Sequence, residues 1–230
     1  MTIGVLKYPG GHGDAEIMHV LLSYFQSDVR EIWYKEKSFA SIDVLFIGAG
    51  FPCHTKNRER QCLNESPALK YLPEFAADGK VLVGIGNGFQ VLCESGLLPG
   101  KLNTNISGRF INKQVYVKAE NQASFLTAGI STQRVLNIPI ATEFGNYTAD
   151  SEELADMRLK GQILFRFCDY QGRITESVNY TGSAENIAAI CNKEKNVFGL
   201  IPQPERAVSV LWNEADGKLM LSSLLENISR

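Results

Sequence analysis

The stretch "VLVGIGNGFQVLCESG" (residues 81–96) is an apolar run that ends in a glycine-rich turn and continues with helical spacing. Residues 81–85 read as a buried strand and residues 87–95 as the helix that follows it. A strand, a tight turn and a helix in that order can lift one side chain above the edge of a sheet. Here Gly86 stands at the apex and has no side chain, with Gly84 and Gly88 two residues to either side. Taken alone, the turn is either a close-packed corner or a cradle for a small anion at a helix N-terminus. It is not a dinucleotide fingerprint. G-x-G-x-x-G counted from Gly84 meets Phe89 at its last position, and "PGGHGD" (9–14) fails in the same way.

Outward from this turn, strands and helices alternate. Residues 2–8, 29–35 and 43–49 read as strands, and residues 14–26 as a helix with Asp14 as its cap. Residues 66–80 read as a helix interrupted near Pro73 and closed by Gly79. Such alternation predicts a mostly parallel sheet with helices on both faces. Residues 108–119 and 134–141 alternate polar with apolar, as half-exposed strands do, and predict an antiparallel insertion or edge. Strands resume at 163–168, 186–192 and 197–203, and a helix over 222–229 closes the chain. With no repeat or linker, the expectation is one α/β domain over residues 1–230.

The chain of 230 residues is 44% hydrophobic, enough for a sizeable core without staples. A net charge of -2 gives no bulk electrostatic case for nucleic acid or an anionic membrane. No apolar run approaches the roughly 20 residues that span a bilayer. The five cysteines, Cys53, Cys62, Cys93, Cys168 and Cys191, are scattered and form no C-x-x-C pair. These features predict a cytoplasmic protein in a reducing compartment, with neither metal site nor cofactor.

"GIGNGFQVLCESGLLPGKL" (84–102) resembles the nucleophile region of class I glutamine amidotransferases, and in particular the glutaminase subunits of phosphoribosylformylglycinamidine synthase, whose turn reads G-x-C-N-G-F-Q. "NVFGLIPQPERAV" (196–208) is similar to their closing segment G-x-x-P-H-P-E-R-A. "NYTGSAENIAAICN" (179–192), "NIPIATEFGNY" (137–147), "RFINKQVYVK" (109–118) and "YPGGHGD" (8–14) fit as well, so the likeness runs nearly end to end. It implies a flavodoxin-like α/β sandwich, glutamine as substrate, and a large synthetase subunit or a related protein as partner.

In that family a cysteine attacks the side-chain amide of glutamine, a histidine relays protons and a glutamate orients the histidine. By position, the resemblance puts these roles on Gly86, Gln203 and Glu205, of which Glu205 alone has the family's residue type. Glycine offers no nucleophile, and an amide does not titrate near neutral pH. The resemblance assigns oxyanion or substrate contacts to Gly50, Asn87 and Gln90. The family's G-G-F-S loop falls on residues 48–62, with Ala49 for its first glycine and Pro52 for its serine, and Thr142 replaces a histidine. A donor bond from Gln203 to Glu205 is expected to keep that carboxylate paired. The histidines, His12, His19 and His54, all lie early in the chain, far in sequence from Gln203. Three functions stay open: a partner-docking or regulatory homologue without glutaminase activity, a stand-alone binder of glutamine or a small anion, and an enzyme with a rewired nucleophile such as Cys53.

Overall fold

A computed structural model describes residues 1–9, 11–50, 66–209 and 215–228. Its frame is one nine-stranded sheet in the order β2-β1-β3-β4-β11-β10-β9-β6-β7. β1 (Thr2–Lys7) pairs in parallel with β2 (Asp28–Trp33) on one side and β3 (Val44–Ile47) on the other. β3 pairs in parallel with β4 (Val81–Ile85), and β4 with β11 (Val197–Leu200). Every residue of β3, β4 and β11 is buried, as both-face coverage requires. The order 2-1-3-4 of the first four strands is the flavodoxin-like order. The sheet grows one way through α1 (Gly13–Tyr24) and the other way through α2 (Pro67–Ala77). Right-handed crossovers then set these two helices on opposite faces.

The rest of the sheet is antiparallel. β10 (Ile187–Cys191) pairs with β11 and with β9 (Ile163–Cys168), and β6 (Ile111–Ala119) joins β9 to the edge strand β7 (Val135–Thr142). The antiparallel edge therefore takes in β9 and β10 as well as the two alternating segments. β7 keeps the alternation that revealed it, with every second residue buried.

Several local expectations need correction. α1 starts at Gly13 behind His12, and Asp14 lies inside its first turn, buried, instead of capping it. α2 runs through Pro73 without a break. Proline costs it one backbone donor, but Ala68, Leu69, Leu72 and Phe75 bury one face of the helix and hold it in place through that position. β11 stops at Leu200, so Gln203 lies beyond the strand. The final helix, α5 (Asp216–Ile228), begins a turn and a half before the expected start.

The sequence also conceals a small sheet of β5 (Lys101–Asn103) with β8 (Asn146–Thr148), and the helix α4 (Ser151–Leu159). In α4 only Met157 is buried, so no apolar stripe marks it; Asp150, accepting from the Glu153 amide, starts it. Among the described residues no helix is long and apolar enough to cross a membrane. None of their His, Cys, Asp and Glu side chains cluster in threes to hold a metal ion.

Candidate functional site

The carboxyl ends of β1, β3, β4 and β11 converge at one edge of the sheet, where ligands bind in open α/β folds. β4 turns there into α3 (Asn87–Glu94) through Gly86, whose φ of 56 and ψ of -113 are a backbone state that L side chains rarely adopt. The flanking glycines have a packing reason. A Cβ on Gly88 would lie 2.0 Å from the Ile47 carbonyl oxygen, and one on Gly84 would lie 2.5 Å from the Gly88 backbone. The elbow closes only because strand, helix and β3 touch backbone to backbone.

A Cβ on Gly86 would meet the Ala49 Cβ at 3.2 Å and the Gln203 Nε2 at 3.7 Å. Gln203 is buried, its backbone amide donates to Pro139 O at 2.9 Å, and its Nε2 donates to Ala141 O at 3.0 Å. Glu205, two residues on, is buried in the short 3-10 turn Pro204–Arg206. The expected bond from Gln203 to Glu205 is not made. Among the described residues the Gln203 Oε1 and both Glu205 carboxylate oxygens lack a hydrogen-bond partner. β7 wins the amide because its Ala141 carbonyl is in reach of Nε2. Burial pushes the Glu205 carboxyl up to about 8, against smaller pulls from its own backbone amide and Arg206.

Gly50, Asn87 and Gln90 come together. The Gly50 amide donates to Asn87 Oδ1 at 3.2 Å, and Asn87 Nδ2 donates to Gln90 Oε1 at 3.4 Å. Gln90 Nε2 then reaches Glu94 Oε1 at 3.0 Å, one helical turn further. A groove of about 500 Å³ opens beside Gln90, with Glu94, Lys101, Thr104 and Phe144 in its wall. Of these only Glu94 had a signal in the sequence, its spacing of four from Gln90 on one helix face. Thr142 is buried and commits its hydroxyl to its own turn, accepting from the Phe144 amide at 3.0 Å.

One histidine does stand close by. A Cβ on Gly50 would lie 3.3 Å from the His12 Cβ, and Arg206 binds Glu16 of α1 at 2.7 and 3.1 Å. The lead-in to α1 therefore borders the loop after β3, a nearness that chain order hides. Cys53, His54 and Pro52 lie outside the described residues.

The sequence profile of the CobB/CobQ-like glutamine amidotransferase domain matches residues 5–220. The chain belongs to the glutamine amidotransferase family. Within it, the chain is 40% identical to the phosphoribosylformylglycinamidine synthase subunit PurQ of Aquifex aeolicus, over 99% of this chain and 100% of that one. It is 37% identical to the PurQ subunit of Salinibacter ruber, over 98% of this chain and 96% of that one. A chain in the structure of PurLQS from Thermotoga maritima superposes with a TM-score of 0.82 at 30% identity, over 98% of this chain and 97% of that one. The chain is thus a PurQ homologue with a flavodoxin-like α/β fold.

Proposed function

We propose that residues 1–230 act as one amidotransferase-like domain that docks on the large synthetase subunit of phosphoribosylformylglycinamidine synthase, in purine biosynthesis, without hydrolysing glutamine itself. The observation that carries this reading is the apex of the elbow: Gly86 puts no nucleophile there, and the residue facing it is an amide that cannot relay protons. In the same reading Gly86, Gln203 and Glu205 hold the family's triad positions, and Gly50, Asn87 and Gln90 its oxyanion and substrate contacts. The relatives are named as a subunit of that synthase, which supports the large synthetase subunit that the family resemblance implies as partner. The test is an ammonia-release assay on glutamine, with and without the large synthetase subunit of the same organism. Turnover abolished by a cysteine-directed glutamine analogue sinks the inactive reading.

A second reading, a binder of intact glutamine, is favoured by the groove at Gln90. Its lining includes a carboxylate, Glu94, and an ammonium, Lys101, opposite in sign to the two charges of a free amino acid. Calorimetric titration with glutamine, in the absence of any partner, separates it from the first.

A further inference from the structure

The loop after β5 carries two large apolar side chains into solvent: Ile106 is 76% exposed and Phe110 62%. The loop itself is firmly held. Asn105 is buried, donates to Thr142 O at 2.8 Å and Arg109 O at 2.9 Å, and accepts from the Gly145 amide at 2.9 Å. The Ile106 amide donates to Thr181 O at 2.9 Å, and the Ile106 side chain rests over Gly182. Beside it the Lys113 ammonium sits 3.7 Å above the ring of Tyr180, itself 37% exposed. Neither Lys113 nor Arg109 makes an ion pair among the described residues. Apolar side chains held out on a fixed loop, with unpaired cations beside them, are what an interface core and its rim look like before docking.

The patch is continuous with the candidate site. Asn105 holds Thr142 O, and the adjoining carbonyl, that of Ala141, holds Gln203 Nε2. Thr104, on the same loop, lines the groove together with Gln90. Whatever covers Ile106 and Phe110 therefore sits on the loop that also lines the groove at Gln90. A second copy of this chain fits poorly, because a two-fold contact centred here would set Arg109 and Lys113 against their own duplicates.

Resting on the reading proposed above, we infer that the patch of Ile106, Phe110 and Tyr180, with Arg109 and Lys113, is where the large synthetase subunit docks, through an apolar surface edged with carboxylates. The experiment measures binding of the full chain to the full-length synthetase subunit by biolayer interferometry. The variants are Ile106→Asp, Phe110→Ser and Lys113→Glu, with Leu159→Asp as an exposed control on α4. The side chains are solvent-exposed, so the variants should melt like the unaltered protein. Each patch variant should bind at least about tenfold more weakly, as loss of an interface anchor does, and the control should bind normally. Raising the salt should weaken the unaltered complex and affect Lys113→Glu less. If the unaltered chain binds and the patch variants bind equally well, the docking surface is wrong while the proposed function stands. If the unaltered chain does not bind, both fall. A patch variant that instead dissolves a self-associated form of this chain assigns the surface to a second copy and overturns the inference.

Discussion

A side chain built on Gly86 begins 3.7 Å from Nε2 of Gln203. The apex of the elbow and the turn after β11 thus face each other across the carboxyl edge of the sheet, although 117 positions separate them in sequence (203 − 86). This is the spatial relation that a nucleophile and its base need. In the proposed reading these two residues hold the triad's nucleophile and base positions, and a glycine and an amide fill neither role.

The first prediction is repair. Gly86→Cys with Gln203→His should react with a glutamine-analogue affinity label faster than either single variant, because such residues act as a unit. Gly86→Cys alone should be nearly inert, since an unassisted thiol with a pKa of about 8.5 is little ionised at neutral pH. In the proposed reading recovery should remain partial, since the sequence has Ala49 and Pro52 where the family's oxyanion loop has glycine and serine, and one lost donor costs about 100- to 1000-fold. The new Cβ meets Ala49 at 3.2 Å and adopts a positive φ, so the variant should also lose about 1–3 kcal/mol of stability. Labelling of the double variant no faster than Gly86→Cys alone refutes the pairing of these two positions.

The second prediction concerns the corner itself. Gly88→Ala drives a methyl to 2.0 Å from the Ile47 carbonyl oxygen, backbone that cannot step aside, and should cost about 3 kcal/mol or more. Gly96→Ala, where a Cβ meets nothing within 4 Å, bears only the strain of its positive φ, about 1 kcal/mol. Thermal melts of the two variants should differ clearly. Equal melts would mean that strand and helix can part at the elbow.

The third prediction separates a rewired nucleophile from buried thiols. Burial pushes Cys168 up to about 11, Cys191 up to about 12, and Cys93 higher still. None of the three should react quickly with a thiol label in the folded protein at pH 8. Fast labelling that mass spectrometry maps to Cys53 supports the rewired reading. Cys93 is only half-buried beside the groove, so fast labelling there contradicts its raised pKa.

The parallel core was legible in the sequence because β3, β4 and β11 are unbroken apolar runs, and the edge strand β7 because it alternates. The elbow could be read from glycines whose spacing has a steric cause. α4 went unseen because it buries a single residue and has no stripe to betray it. The fate of Glu205 went unseen because hydrogen-bond competition is decided in space: the Ala141 carbonyl, 62 positions from Gln203, takes the amide. His12 beside Gly50 was hidden for the same reason.

The last prediction follows from that orphaned carboxylate. The Glu205 carboxyl titrates near 4.5 in a free chain and is raised to about 8 in the folded one. Between those values the folded state holds a proton that the unfolded state has released, so stability falls as pH rises from about 4.5 to about 8. Above that window both states are ionised and the penalty is complete. Glu205→Gln keeps the shape of the neutral acid and cannot ionise. It should melt near the unaltered protein at the acid end of the window and above it at the alkaline end. The gap should widen with pH toward a few kcal/mol, since each tenfold change in proton affinity is worth about 1.4 kcal/mol. Arg206 and Glu16, the two charged groups that act on Glu205 through space, pair with each other at 2.7 Å. Glu205→Ala is the contrasting variant: it removes the charge too, but leaves a hole and should lose stability at every pH. Melting curves of the three proteins across this range decide the matter. If the gap between Glu205→Gln and the unaltered chain does not change with pH, Glu205 has a partner or an ordinary pKa, and the orphaned carboxylate described here does not exist.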